Sequence, residues 1–269
     1  MKILLIGDIV GRPGRAIIEQ KLAGLRKELS LDFVVINCEN AAAGAGITSN
    51  IADDLFRAGA DVLTSGNHVW KKKEAFELLR LDHRVIRPAN YPEIAPGFGS
   101  CVVETLSGKK VGVLNLIGRV FMEPVDCPFR VAERELARLK LVTPIIIVDM
   151  HGEATSEKVA LGWFLDGKVS CVFGTHTHIP TADERILPKG TGFLTDVGMT
   201  GPYDSVIGRR VDQILERFLS GVPMRSEVAE GNVQMHALLV DIDEITGKTL
   251  KIQRLMRALE GPVRDAARD

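Results

Sequence analysis

The sequence lacks an excess of charge of either sign. In 269 residues, 34 lysines and arginines stand against 35 aspartates and glutamates, so the formal net charge is −1. Such a chain offers no overall positive field to hold a long nucleic acid or an anionic membrane surface, and we expect neither as a partner. Chemistry on a phosphate group would need a local positive centre, such as bound metal ions.

Paired cysteines and long apolar runs are also missing. The four cysteines, Cys38, Cys101, Cys127 and Cys171, are widely scattered and form no Cys-x-x-Cys pair, so a disulfide framework is not expected. The first apolar run ends at Asp8 and is too short for a secretory signal. No run approaches the ~18 apolar residues that a membrane span requires. These absences predict a cytoplasmic protein.

The first part of the chain alternates short apolar runs with segments of helical spacing. Apolar runs at 2–6, 33–36 and 61–64 are separated by helical patterns at 16–29 and 49–58, which is typical of a parallel sheet. Two later pairs of apolar runs, around Ser107-Gly108 and Thr246-Gly247, indicate hairpins that add antiparallel strands. The length suits one sizeable core, so we predict a single α/β domain over residues 1–269.

One segment interrupts this pattern. Residues 200–232 are rich in glycine, proline and charge. They are interpreted as a helical insertion that caps the site or mediates assembly, or as a solvated excursion without such a role. The apolar residues Phe218, Leu219, Val222 and Met224 within it favour a homodimer or a larger homo-oligomer.

Polar side chains that bind metals follow five of the predicted strands. They are Asp8, the pair Glu39-Asn40, the pair Asn67-His68, His151, and the pair His176 and His178. Each alone is explained by a turn or a cap, but together they indicate one site, because ligands gather at the carboxyl ends of parallel strands. Mixed oxygen and nitrogen ligands suit manganese, iron or zinc better than magnesium or calcium, and there are enough for two ions.

These motifs resemble the calcineurin-like metallophosphoesterases. The similar segments are Gly7-Asp8, Gly66-Asn67-His68, His151 and Gly174-x-His176-x-His178. The chain resembles their YmdB-like subfamily most closely, through the segments at 7–11, 37–42, 64–70 and 196–202. The resemblance implies a four-layer α-β-β-α sandwich of two mixed sheets flanked by helices. It also implies a phosphodiesterase that hydrolyses 2′,3′-cyclic and 3′,5′-cyclic nucleoside monophosphates through a hydroxide bridging two metal ions.

The same resemblance implies a role for each residue. Asp8, Asn40 and His178 hold one metal ion, Asn67, His151 and His176 hold the other, and Glu39 bridges them. Iron or manganese is expected, with zinc as an alternative. His68 acts as a general acid on the leaving oxygen. The wider superfamily begins with Asp-x-His, whereas this chain has Asp8-Ile-Val10, so one imidazole is missing and Asn40 is expected to replace it.

Several alternatives stay open at this point. A phosphomonoesterase of the same fold and a metal-dependent nucleotide-binding regulator with little turnover are the competing functions. Arg119 is a candidate for a substrate phosphate, and Phe121 and Tyr203 are candidates for stacking on a base, although a surface position and core packing also explain them. Asp149 either orients a ligand imidazole or opens a turn at a strand end.

Overall fold

Two six-stranded sheets pack face to face in the computed structural model, which describes residues 1–260. A short 3₁₀-helix, Asn67–Lys71, lies between the third strand and the third α-helix. In chain order the other elements are β1 (Lys2–Ile6), α1 (Gly11–Leu29), β2 (Phe33–Asn37), α2 (Ser49–Ala58), β3 (Val62–Thr64), α3 (Ala75–Leu81), β4 (Ser100–Glu104), β5 (Lys110–Ile117), α4 (Pro128–Leu139), β6 (Ile146–His151), α5 (Thr155–Leu165), β7 (Cys171–Thr175), β8 (Arg185–Ile186), β9 (Gly192–Leu194), β10 (Gly201–Pro202), α6 (Val211–Ser220), β11 (Val233–Ile242) and β12 (Thr249–Ala258).

Both sheets are mixed. In the first, β1, β2 and β3 are parallel neighbours, β11 joins β1 in the antiparallel direction, and β12 and β10 pair with β11. In the second, β5, β6, β7 and β9 are parallel, while β4 and β8 add antiparallel strands at the two edges. The carboxyl ends of the parallel strands in each sheet therefore open to one edge, where ligands gather in α/β proteins.

Alternation along the strands explains the layers. Successive side chains of a strand point to opposite faces, so Ile3 and Leu5 of β1 enter the core between the sheets, whereas Leu4 and Ile6 pack under helices α1 and α2. In the second sheet, Ile147 faces the shared core and its neighbours on β6 pack against α4 and α5. The resulting α-β-β-α sandwich confirms the expected fold.

The predicted elements agree well with those observed in the first 80 residues and in the hairpins. The patterns at 16–29 and 49–58 are α1 and α2, and both predicted hairpins occur, as β4–β5 and β11–β12. Helix α4 and strands β8 and β9 were not anticipated. No helix within residues 1–260 is long and apolar enough to cross a membrane.

The segment 200–232 is only partly an excursion. Strand β10 belongs to the first sheet, and the carbonyl oxygen of Ile207 accepts a hydrogen bond from a predicted ligand, His178 Nδ1, at 2.9 Å. Helix α6, in contrast, buries only Ile214 and leaves Phe218 and Leu219 exposed. Its role in capping or assembly stays a prediction, as does the single-domain assignment.

Candidate metal centre

The strand ends of both sheets bring the eight predicted site residues into one cluster. Asp8 follows β1, Glu39 and Asn40 follow β2, and Asn67 and His68 open the 3₁₀-helix after β3. His151 is the last residue of β6, and His176 directly follows β7. Direct contacts between these side chains connect residues from the two sheets. The strand ends therefore bring these residues together in space, and their roles as metal ligands and general acid stay predictions.

One half of the cluster surrounds the Nε2 atom of His151. Glu39 Oε2 and Asn67 Oδ1 each lie 3.2 Å from it, and His176 Nδ1 lies 3.0 Å from it. Ligand atoms of Glu39, His151 and His176 all lie within 4.8 Å of one another. Carboxylate, amide and imidazole atoms with lone pairs thus converge on one point, which is the arrangement that a transition-metal ion needs.

The other half contains Asp8, Asn40 and His178. Asn40 Nδ2 lies 3.1 Å from both Glu39 Oε1 and His178 Nε2, so Glu39 touches both halves. Asp8 Oδ2 accepts a hydrogen bond of 3.1 Å from the backbone N–H of His176. Asp8 Oδ1 is buried and has no hydrogen-bond partner among residues 1–260. A buried carboxylate oxygen without a donor is costly unless a cation compensates it.

The outer ring nitrogen of each of the three imidazoles meets an oxygen atom. His151 Nδ1 lies 2.9 Å from Thr175 Oγ1, His176 Nε2 lies 3.0 Å from Glu153 Oε2, and His178 Nδ1 lies 2.9 Å from the Ile207 carbonyl oxygen. A proton on the nitrogen that faces oxygen leaves a lone pair on the nitrogen that faces the cluster. All three rings are therefore oriented as metal ligands.

Asp149 fixes the ring of His151 indirectly, through the hydroxyl group of Thr175. It lies within strand β6, two residues before its end, so the interpretation as a turn residue is wrong. Thr175 Oγ1 donates its only proton to Asp149 Oδ1 at 2.7 Å. It must therefore act as acceptor towards His151 Nδ1, which carries the proton of that contact. Asn37 and Thr64 donate to Asp149 Oδ2 at 3.0 and 2.5 Å. Asp149 thus orients a candidate ligand through Thr175.

A buried ion pair supports the loop that carries His176 and His178. Both residues adopt positive φ angles, 95° and 66°, which are unfavourable for residues with a side chain. Asp196 Oδ2 accepts hydrogen bonds from the backbone N–H and the hydroxyl of Thr177, between them, at 3.2 and 2.7 Å. Lys158 Nζ lies 2.7 Å from the same oxygen and donates to the Thr175 carbonyl at 3.1 Å.

The sequence indicates only one partner of this Lys158–Asp196 ion pair. The segment at 196–202 is one of those that resemble the YmdB-like subfamily, but its aspartate had no assigned role. No signal in the sequence marks Lys158 as buried, because lysines on a helix such as α5 are usually solvated.

The pKa values in the cluster show where positive charge is stabilised. Burial lowers the pKa of His151, but the carboxylates of Glu39 and Asp8 outweigh that effect and raise it to about 9. Burial raises the pKa of Glu39, yet His151 and His68 hold it well below its usual value. Burial and the neighbouring His151 lower the pKa of His176 to about 3. The carboxylates therefore favour a positive charge at His151, and a bound cation would replace the ring proton there, whereas His176 is neutral, the form in which an imidazole binds a metal.

His68 lies at the open side of the cluster. Its side chain is 32% exposed, its Nδ1 lies 2.6 Å from Asn40 Oδ1, and its backbone N–H donates to Glu39 Oε2 at 3.1 Å. A proton on Nδ1 that faces Asn40 leaves Nε2 as the remaining ring nitrogen for a substrate. Gly66 allows the close approach of this segment to the cluster, because a Cβ atom there would collide with the His151 ring and the Glu39 carboxylate.

The candidate substrate residues lie in different surroundings. Arg119 and Phe121 are exposed on the loop after β5, and no hydrogen bond within residues 1–260 joins them to the cluster. Tyr203 stacks on His236, with 4.7 Å between ring centroids, and donates to the Met199 carbonyl at 3.0 Å. Its pKa is raised by burial and by the charges of Asp196 and Asp8, so it lies within the field of the centre. Contact of these three with a substrate stays a prediction.

The residues present fit a metal centre. Asp8 offers a buried oxygen that has no hydrogen-bond partner in the described part of the chain, four ligand atoms converge at His151, and three imidazoles direct a lone pair inward. The mixture of nitrogen and oxygen atoms matches manganese, iron or zinc rather than calcium. One detail differs from the expected map, because Asn40 directs its Oδ1 towards His68 and its Nδ2 towards His178.

Known proteins share this sequence and fold over almost the whole chain. A 2′,3′-cyclic-nucleotide 2′-phosphodiesterase of Bacillus subtilis (strain 168) is 48% identical over 256 residues, which cover 95% of this chain and 97% of the relative. A crystal structure of a hypothetical protein from Thermus thermophilus has a TM-score of 0.90 at 40% identity and covers 96% of this chain and 99% of its own.

A further crystal structure, described as a novel phosphatase from Mycoplasma pneumoniae, has a TM-score of 0.90 at 35% identity. It covers 96% of this chain and 93% of its own. The family model for YmdB-like proteins matches residues 4–255, which include every predicted metal ligand and His68. The chain therefore belongs to the YmdB-like protein family.

Proposed function

We propose that this protein is a phosphoric ester hydrolase that opens the phosphodiester ring of 2′,3′-cyclic nucleotides, with 3′,5′-cyclic nucleotides as further candidate substrates. The observation that carries the proposal is the convergence of carboxylate, amide and imidazole groups around His151 Nε2, beside a partly exposed His68. The activity for which the Bacillus subtilis relative is named supports the substrate class.

Two transition-metal ions are the proposed cofactor, with iron or manganese first and zinc as the alternative. Asp8, Asn40 and His178 would hold one ion, Asn67, His151 and His176 would hold the other, and Glu39 would contact both. When bound, the pair supplies an activated water nucleophile and neutralises charge on the phosphate oxygens. Bound metal ions would provide the local positive centre that chemistry on a phosphate group needs.

In this proposal the protein's own residues orient the ligand imidazoles and supply a proton to the leaving oxygen. Asp149 and Thr175 fix the ring of His151, and Asp196 fixes the loop of His176 and His178. His68 has access to solvent and is not part of the group of atoms around His151 Nε2. It can carry a proton on Nε2 to the ribose oxygen that leaves phosphorus, as a general acid does.

The expected setting is the cytoplasm, and the expected assembly is a homodimer or a larger homo-oligomer. All four cysteines are free, and Cys38, Cys101 and Cys171 are buried, which suits a reducing compartment. The exposed residues of α6 support the assembly.

The test is turnover of 2′,3′-cyclic AMP by protein reconstituted with Mn²⁺ or Fe²⁺, with the products identified by chromatography. We expect ring opening to a nucleoside monophosphate, and no activity after chelation. Faster hydrolysis of a nucleoside monophosphate than of the cyclic diester would instead assign a phosphomonoesterase. Binding without turnover of either would assign a nucleotide-dependent regulator and refute the enzyme.

A further inference from the structure

A groove of about 940 Å³ is lined in part by residues that follow β1, β2 and β3, the same strands that Asp8, Asn40 and Asn67 follow. It has no role in the proposed hydrolysis of a cyclic mononucleotide. Among the residues that line it, basic side chains outnumber acidic ones by five to two. The acidic residues are Glu227 and Glu230, and Glu227 already pairs with Arg210 at 3.3 Å. The basic residues are Arg12, Lys71, Lys72, Arg209 and Arg225.

The groove and the metal centre share a wall. Ala42, Ala43 and Ala45 line the groove, and they closely follow the candidate ligand Asn40 in the chain. Because consecutive Cα atoms are about 3.8 Å apart, the Cα atom of Ala42 lies at most about 8 Å from that of Asn40. The groove therefore begins within about 8 Å of a candidate ligand, measured between Cα atoms.

The 3₁₀-helix gives a second connection. His68 and Lys71 are three residues apart in Asn67–Lys71. In a 3₁₀-helix, side chains at this spacing eclipse one another, and the rise of about 2.0 Å per residue separates them by about 6 Å. The side chain of Lys71, which lines the groove, thus extends from the same side of the helix as that of His68.

The groove also has charge available for a ligand. Within residues 1–260, neither Lys71, Lys72 nor Arg225 makes an ion pair with an acidic side chain. Arg209 instead supports the wall, because it donates to the carbonyl oxygens of Gly44 at 2.5 Å and Ser226 at 3.2 Å. In the part of the chain that the structure describes, three cationic groups therefore line the groove without an acidic partner.

We propose that this groove binds the upstream phosphates of a short oligoribonucleotide whose terminal 2′,3′-cyclic phosphate lies at the metal centre. The proposal rests on the proposed function and extends its substrate class. A cyclic mononucleotide has one phosphate, which the centre itself would take, so it gives the basic groove nothing to bind. An oligoribonucleotide places further phosphates beyond the terminal ribose, and positively charged grooves follow such backbones.

The reaction is the same hydrolysis on a longer substrate. One water is consumed, since its hydroxyl group joins phosphorus while the bond between phosphorus and the ribose O2′ breaks. The released O2′ takes one proton from His68, the proton lost by the water goes to solvent, and solvent reprotonates His68. The oligoribonucleotide keeps a 3′-phosphate. A net charge of −1 excludes long nucleic acids as general partners, but a local basic groove needs only a few phosphates.

The test compares two substrates of the metal-loaded full chain: adenosine 2′,3′-cyclic phosphate and a tetraribonucleotide that ends in a 2′,3′-cyclic phosphate. The readout is the ratio of kcat/KM for the tetranucleotide to that for the mononucleotide. The double variant Lys71→Gln/Lys72→Gln is compared with Lys73→Gln, which removes a neighbouring exposed charge outside the groove. Circular dichroism and metal content establish that each variant is folded and loaded.

We expect a ratio of at least about 10 in the unmodified protein and a clear fall in the double variant only. Each phosphate contact on a single strand contributes about 0.7 to the slope of log affinity against log salt. Loss of two contacts should reduce the salt slope of the tetranucleotide reaction by about 1.4. Between 50 and 200 mM salt, kcat/KM of the double variant for the tetranucleotide should therefore decline about sevenfold less than that of the unmodified protein.

Two results would overturn the groove proposal alone. One is a mononucleotide that is hydrolysed as fast as the tetranucleotide, and the other is a ratio that Lys73→Gln lowers as much as the double variant does. If the metal-loaded protein hydrolyses neither substrate, the proposed function fails as well. The two failures are therefore distinguishable.

Discussion

Replacement of Lys158 by methionine tests whether the buried ion pair holds the loop of His176 and His178. Lys158 and Asp196 are each 1% exposed, and the ammonium group lies 2.7 Å from the carboxylate. Methionine fills similar space without a charge, so Asp196 would stay buried with its charge uncompensated. The Thr175 carbonyl oxygen would also lose the hydrogen bond from Lys158 at 3.1 Å and keep only the longer one from Gly152 N–H at 3.4 Å.

The hydrogen bonds that Asp196 retains determine how much unfolding free energy the variant loses. Removal of one partner of a buried pair typically costs about 3–5 kcal/mol. Asp196 retains the hydrogen bonds from the N–H and hydroxyl of Thr177 and from Gly198 N–H at 2.8 Å, so we expect the lower end, about 3 kcal/mol. This is a change of roughly a hundredfold in the folding equilibrium.

Urea unfolding followed by circular dichroism measures this free energy, in protein kept free of metal so that ion binding does not contribute. Lys251→Met is the matched control, because it removes an exposed lysine from β12 and should change stability by less than about 0.5 kcal/mol. The double variant Lys158→Met/Asp196→Asn should recover part of the loss, since no buried charge remains. A loss for Lys158→Met as small as that of the control would refute the reasoning.

Three further predictions concern the centre and the assembly. Metal analysis of Glu39→Gln should show the largest loss of bound metal among single ligand variants, larger than for Asp8→Asn, and full occupancy would exclude a bridging role. His68→Ala should keep its metal but lose about 10²–10⁴-fold in turnover of a diester with an alkoxide leaving group, and much less with a nitrophenyl ester. Equal slowing of both esters would show that His68 is not the acid. Sedimentation at micromolar concentration should show a dimer or a larger assembly that Phe218→Ser weakens, and a monomer alone would remove the assembly role of α6.

The residues at strand ends were predictable because their position follows from local pattern alone. Asp8 follows β1 and His176 follows β7, and parallel strands in an α/β fold deliver such residues to one edge. The prediction needs only a correct assignment of short apolar runs to strands. The same logic located Glu39 and Asn67, although their contacts with His151, at 3.2 Å each, join two different sheets.

The residues that orient the ligands were harder to predict, because their role depends on contacts distant in sequence. Thr175 ends β7 and interacts with Asp149 on the neighbouring strand, and neither spacing nor composition indicates that contact. Lys158 occurs on a helix, where a lysine normally reaches solvent. Burial of a charge becomes visible only when the partner, here Asp196, is known to lie beside it.

The orientation of the imidazoles has a consequence for how the centre binds metal. Each ring is held by a different oxygen: the Thr175 hydroxyl, the Glu153 carboxylate and the Ile207 carbonyl. Two of the rings also occupy positive-φ backbone that Asp196 stabilises through Thr177. The conformational cost of arranging these ligands is thus met by folding and not by metal binding, as in other preorganised sites. Destabilisation of the loop should therefore weaken metal affinity even when every ligand is present, which makes the metal content of Lys158→Met the sharpest single measurement on this centre.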